Sequence, residues 1–164
     1  MDDHGSPVLR ALLDAMPDAL EATHARLGDE TALVKAARIV EVMRFLRDTP
    51  ELEFDMLTDV TAVDYLGEEP RFEVVYHLYS VGRNHRLRVK ARVPEEPAEI
   101  DTMTGLWSSA NWMEREVWDM YGIRFLGHPD LRRILLYEEF EGHPLRKDYP
   151  QTRRWRSTEV SDLE

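Results

Sequence analysis

The sequence predicts an α+β domain, with a mixed or antiparallel sheet and flanking helices, followed by an extended irregular C-terminal segment. Three observations carry this reading. Residues 86–93 alternate strictly, with Leu87, Val89, Ala91 and Val93 on one face and Arg86, Arg88, Lys90 and Arg92 on the other, the mark of a half-buried antiparallel strand. Helical periodicity appears on both sides of this β block. After Gly122 periodicity stops, and glycines and prolines (Gly127, Pro129, Gly142, Pro144, Pro150) punctuate the chain.

Taken in order, Ser6-Pro7 followed by Val8, Leu9, Leu12, Leu13 and Met16 predicts a short amphipathic helix, with Ser6 as N-cap and Pro7 in the first turn. Residues 20–27 and 31–35 predict short strands joined by a Gly28-Asp29 turn. Residues 37–47 predict a helix, with Ile39, Val42, Met43, Phe45 and Leu46 at mostly three-to-four spacing, stopped by Thr49-Pro50. Runs 54–66 and 72–81 predict strands separated by a turn at 67–70, and Gly82-Arg83-Asn84 turns into the alternating strand. Pro94 to Pro97 reads as a loop and 98–107 as a helix; Ser108-Ser109 caps a further helix, 110–121, closed by Gly122. The chain thus divides into a body, 1–122, an extended partner-binding segment, 123–150, and a polar tail, 151–164.

The 164 residues suit one domain with a tail, long enough to bury a core. No apolar run approaches the roughly 20 residues of a membrane span, and the acidic start Met1-Asp2-Asp3-His4 lacks the apolar core of a signal peptide. The expectation is a cytosolic protein, or one held at a membrane through partners. With no cysteine, thiol catalysis and Cys-ligated iron–sulfur clusters are excluded in this chain. The net charge of −11 disfavours nonspecific nucleic-acid binding. Residues 124–156 nevertheless carry eight basic against five acidic side chains, a basic segment on an acidic body that suits docking onto an acidic protein surface.

Neither a glycine-rich dinucleotide fingerprint, nor a phosphate-binding loop, nor a nucleophile elbow is present. The densest constellation is Glu114-Arg115-Glu116-Val117-Trp118-Asp119. On a helix, Arg115, Glu116 and Asp119 share a face with Trp112, which allows a general acid/base pair, Glu116 with Asp119, or plain i,i+3 and i,i+4 neighbours on a solvated face. A near-repeat follows: Gly127-His128-Pro129 leads to Leu131-Arg132-Arg133, and Gly142-His143-Pro144 to Leu145-Arg146-Lys147. Two loop histidines at that separation match no dedicated metal-ligand spacing, and the simpler reading is two turns that aim basic side chains outward. His4, His24, His77 and His85 stand alone and read as structural or surface residues.

The run from Glu114 through Phe125, then Gly127 through Leu135, then Gly142 through Pro150 closely resembles the signature of the 30-kilodalton subunit family of respiratory complex I, the NADH:quinone oxidoreductase. The likeness spans Ser109 to Pro150. It implies a peripheral-arm structural subunit, on the cytoplasmic face of the cell membrane, that braces the quinone-reducing 49-kilodalton-type subunit. It implies no cofactor in this chain; FMN, iron–sulfur clusters, NADH and quinone would be bound by other subunits. The family motif marks Glu114, Arg115, Glu116, Asp119 and Gly122 on the helix, Gly127, Pro129, Leu131, Arg132 and Arg133 after it, and Pro144, Leu145, Arg146, Lys147, Asp148 and Tyr149 at the end. Structural and interface roles are expected of them, including an ion pair between Glu116 and Arg132. The alternatives are the equivalent subunit of a membrane-bound nickel–iron hydrogenase or formate hydrogenlyase complex, and a stand-alone acid/base enzyme.

Overall fold

Alternation builds the sheet, and one charged residue in phase with it foreshadows the site. In the computed structural model, which describes residues 6–150, strands β1 (Leu20–Arg26), β2 (Asp29–Val34), β3 (Met56–Asp64), β4 (Phe72–Ser80) and β5 (His85–Val93) form a five-stranded sheet in the order β1-β2-β5-β4-β3. The N-terminal residues, the 151–164 tail and its Arg153, Arg154 and Arg156 lie outside the described residues. β3, β4 and β5 are an antiparallel meander, and β1 and β2 an antiparallel hairpin. The two units join along a parallel β2–β5 pairing, Thr31↔Arg88 to Val34↔Ala91, so β5 is a central strand with one parallel and one antiparallel neighbour rather than simply a hairpin strand.

Helix α1 (Pro7–Ala15) starts on the expected cap, with Ser6 Oγ accepting the Leu9 amide at 3.1 Å. Helix α2 (Ile39–Asp48) buries Ile39, Val42, Met43 and Leu46 of the predicted stripe, with Phe45 half-buried. It carries the chain from β2 to β3 at the opposite edge. Leu9 and Leu12 of α1 and the α2 stripe share one core with Phe72, Val74, Tyr76 and Leu78 of β4 and Leu87, Val89, Ala91 and Val93 of β5. Removing that apolar surface from water is the main drive for folding, at roughly 25 cal/mol per Å².

Three local expectations need correction. The first hairpin turns on Leu27 and Gly28, both at positive φ (56° and 84°), while Asp29 already pairs with Arg26; this left-handed pair matches the twist of the flanking strands. Residues 98–107 are not a helix. Glu99–Asp101 forms strand β6, parallel to β7 (Arg124–Leu126), and only a single helical turn follows, closed by the Leu106 and Trp107 amides on the Met103 carbonyl. The Thr102 hydroxyl there bonds the Glu114 carboxylate and accepts the Thr104 amide, which favours turns over helix. Ser109 precedes helix α3 (Ala110–Tyr121) without capping it by its side chain; its hydroxyl donates to the Leu57 carbonyl at 3.0 Å and fastens the helix start to β3. A bulge between Leu57 and Asp59 breaks the β3 alternation.

α3 ends where expected, at Gly122 with φ 76°, its amide on the Trp118 carbonyl at 2.8 Å. A Cβ at Gly122 would stand 2.6 Å from the His143 ring and 2.7 Å from an Arg146 guanidinium nitrogen, whereas one at Gly28 would meet nothing within 4 Å. Gly28→Ala is therefore expected to cost only the left-handed backbone penalty, about 1 kcal/mol, and Gly122→Ala clearly more. Urea denaturation of the two variants checks this; equal losses would show that the approach of residues 143–146 to the helix end adds nothing.

Candidate functional site

α3 lies between two layers. Ala110, Glu114 and Val117 face the body and are buried. Asp119 sits roughly half a helical turn away from Ala110, on the outer face with Trp112, Arg115 and Glu116, as the spacing predicts. Yet Asp119 is fully buried, because the chain after Gly122 folds back over that face. The solvent-facing carboxylate pair expected on α3 is thereby lost: Glu116 stays exposed and Asp119 does not.

The Asp119 carboxylate collects four donors. Its Oδ2 accepts three successive amides, Ile134, Leu135 and Leu136, at 3.1, 2.9 and 3.0 Å, and its Oδ1 accepts Arg133 Nη1 at 2.5 Å. Burial works against the charge, but these donors outweigh it and hold the carboxyl below its usual range. The other Arg133 nitrogen, Nη2, donates to the Phe140 and Gly142 carbonyls at 2.7 and 3.2 Å. Its guanidinium lies 5.6 Å from the Phe140 ring centre and 5.7 Å from that of Trp118. Arg115 holds the other side of the turn, donating to the Arg132 and Arg133 carbonyls at 3.1 and 3.0 Å.

The helix C-terminus is closed by the same segment. Its terminal carbonyls lack intrahelical partners. His143 Nδ1 bonds the Asp119 carbonyl at 3.0 Å, the Leu145 amide donates to Met120 at 3.1 Å, and Arg146 Nε donates to Tyr121 at 2.5 Å. A guanidinium at this end also suits the negative pole of the helix dipole. Burial holds the His143 ring below its ordinary range, only partly offset by the carbonyl bond.

A second anchor was not found by sequence reasoning. Arg71, just before β4, is 2% exposed and meets three carboxylates: Asp64 on two nitrogens at 2.8 Å each, Glu95 at 2.7 Å and Asp148 at 2.9 and 3.1 Å. The Lys147 amide donates to Asp64 at 2.8 Å. The Phe72 ring lies under both Arg71 and Arg146, at 5.0 and 5.1 Å. Residues 146–148 are thus tied to the β3–β4 end of the sheet. The signal was present: Asp64 continues the buried series Val60, Ala62 on β3, and a carboxylate at a core-facing position demands a cation.

The remaining predicted residues divide. Arg132 pairs with Asp130 at 2.9 Å, not with Glu116, and Lys147 exposes its side chain. Tyr149 stacks on Phe140 and donates to the Glu141 carbonyl at 3.4 Å. The near-repeat turns do not simply aim basic groups outward, since Arg133 and Arg146 point in. His128 is buried too, bonding the Asn111 carbonyl through Nε2 and accepting the Asp130 amide on Nδ1, both at 3.0 Å. Among the described residues no group of three His, Cys, Asp or Glu is placed to hold a metal, and no helix is long and apolar enough to cross a membrane. Trp112, Leu126, Leu135, Tyr137 and Leu145 remain exposed along α3 and the segment.

The comparisons converge on one family. A family model described as respiratory-chain NADH dehydrogenase, 30 Kd subunit, matches residues 32–154. The second C-type subunit of NADH-quinone oxidoreductase from Rhizobium meliloti (strain 1021) is 52% identical over 142 residues, 87% of this chain and 78% of that protein. The C-type subunit from Geobacter metallireducens (strain ATCC 53774 / DSM 7210 / GS-15) is 57% identical over 124 residues, 75% of each chain. Among solved structures, the trypsin-resistant fragment (1-134) of Nqo5 superposes with a TM-score of 0.67 at 36% identity, over 76% of this chain and 98% of that one. A chain of the membrane-bound sulfane sulfur reductase, an archaeal respiratory membrane complex, gives 0.74 at 25% identity, over 88% and 85%.

Arg71→Ala is expected to cost about 3–5 kcal/mol, because it leaves Asp64 buried and unpaired. It should also change the acid limb of stability. The Arg71 guanidinium, before any other group, holds Asp64 and Asp148 below the ordinary value of 3.8. The stability they lend is therefore present above that value and lost as pH falls through their folded values. Without Arg71 the loss below about pH 4 should be shallower. Denaturant titrations of both proteins across pH measure this; parallel acid limbs would contradict it.

Proposed function

This chain belongs to the 30-kilodalton subunit family of respiratory-chain NADH dehydrogenase, and we propose that it serves such a complex as a structural subunit that binds no cofactor itself and braces the 49-kilodalton-type quinone-site subunit. Its relatives are subunits of NADH-quinone oxidoreductase, so its place is within an electron-transport complex with other subunits as partners. In the proposed arrangement FMN, iron–sulfur clusters, NADH and quinone sit in neighbouring subunits. The chain is held peripherally at the cytoplasmic face of the membrane.

The observation that carries the bracing role is how the signature residues divide. Glu114, Arg115, Asp119, Arg133, Arg146 and Asp148 are engaged within the chain. Arg132 and Lys147 reach solvent, as do Trp112, Leu135 and Leu145, which are 70%, 61% and 51% exposed. Large apolar groups and cations exposed on one stretch of chain suit a protein-docking surface. Asp119, saturated with donors and shut from solvent, is a poor acid/base partner for Glu116, which weighs against a stand-alone enzyme.

The runner-up is the equivalent subunit of a nickel–iron hydrogenase or formate hydrogenlyase complex. The likeness to a chain of an archaeal respiratory membrane complex favours it only as a sister-assembly reading; the NADH-quinone oxidoreductase relatives favour the first.

Trp112→Ala combined with Leu135→Glu should lower recovery of the large quinone-site subunit with the tagged chain at least tenfold, since loss of interface anchors costs about 2 kcal/mol or more. Complexes that still assemble should turn over NADH and quinone normally. Affinity capture from native membranes, with activity per assembled complex, checks both. Full assembly with abolished quinone reduction would assign the chain a direct catalytic role instead.

A further inference from the structure

Four carboxylates among the described residues are buried, and they are not alike. Glu73 takes the Lys90 ammonium at 2.8 Å. Asp64 and Asp119 each face a guanidinium. Glu114, fully buried on the inner face of α3, does not. Its Oε1 accepts the Met103 amide at 2.6 Å and its Oε2 contacts the Thr102 hydroxyl at 2.5 Å. Among the described residues its basic neighbour within ion-pair distance is His128, Nε2 standing 4.0 Å from Oε2. That ring is engaged elsewhere: Nδ1 accepts the Asp130 amide, so the proton sits on Nε2, which donates to the Asn111 carbonyl. From β4, Tyr76 is wholly buried and its hydroxyl has no partner among the described residues; burial, and then the charges of Glu114 and Asp101, push that phenol up.

We propose that the Glu114 carboxyl is a proton-binding site, and that taking up or losing this proton switches the joint between the 102–104 turn and α3. The hydroxyl pair beside it makes both states possible. Thr102 Oγ1 also accepts the Thr104 amide at 3.1 Å and lies 2.9 Å from Thr104 Oγ1. With Glu114 ionised, Thr102 donates to the carboxylate and Thr104 donates to Thr102. With Glu114 protonated, the carboxyl donates to Thr102 and Thr102 to Thr104. Both hydroxyls reverse direction and every hydrogen bond is kept. The joint matters because Thr102 also donates its amide to Leu126 at 3.0 Å, at the point where the signature segment leaves the body.

Burial, opposed by the Thr102 and Met103 bonds, pushes this carboxyl up to about 7 from 4.5. Since the folded value lies above the unfolded one, the stability tied to this proton is full below 4.5 and lost as pH rises through about 7. The test is the side-chain carboxyl 13C shift of Glu114 in the full chain, followed from about pH 4 to about pH 9. The Met103 and Thr104 amide shifts are read in the same samples. A carboxyl step near 7, shared by both amides, is expected. Thr102→Val removes a charge-assisted bond from the ionised form and a weaker neutral one from the protonated form, so the midpoint should move higher; in Glu114→Gln the amide step should vanish. Titration of Glu114 in the ordinary carboxylate range would overturn the proposal. So would a step near 7 that leaves both amides unmoved, a midpoint unmoved by Thr102→Val, or an amide step that survives Glu114→Gln.

Discussion

The capture of three consecutive amides by the Asp119 carboxylate is the interaction on which the signature half of the molecule depends. Residues 133–136 have no ladder of their own, and buried amides without partners would each cost about 1–3 kcal/mol. One carboxylate satisfies three of them, and Arg133 balances its charge. That turns an irregular chain into an outer layer over α3. The layer then closes the helix end through His143, Leu145 and Arg146 and reaches the sheet through Asp148 and Arg71. The order of packing is sheet, helix, irregular segment, and the segment is fixed by a buried charge centre at each of the other two, Asp119–Arg133 on the helix and Arg71–Asp64 at the sheet end.

Buried ion pairs are modest sources of net stability, because desolvation offsets most of their attraction. Their use here is positional. Arg71 fixes where residue 148 meets the sheet, and Asp119 fixes the turn at 134–136. The groups left outside, Trp112, Arg132, Leu135, Leu145 and Lys147, therefore stand on a surface whose backbone is already set. A surface ordered before docking loses less conformational entropy on association.

Most of the fold was legible in the sequence. The β5 alternation, the α2 stripe and the Ser6 and Gly122 helix ends all follow from local periodicity and backbone preference. Helix 98–107 failed because two threonines and a glycine prefer the turn and strand that pairing with β7 provides. The site was legible in its membership and less so in its wiring. Spacing put Asp119 on the outer face correctly, but no local pattern says that a segment more than ten residues later will cover that face. Arg132 went to Asp130 rather than Glu116 because the turn at 130–132 brings its nearest neighbour closer. Arg71 was missed because it lies far along the chain from Asp148; the core-facing phase of Asp64 was the available clue.

The most direct measurement is native-state hydrogen exchange at the Ile134, Leu135 and Leu136 amides in the isolated full chain. If the Asp119 network orders the segment by itself, these three amides will be strongly protected with no partner present. Exchange at the rate of an unstructured chain would contradict it, and would mean that the segment takes its shape only from the partner it meets.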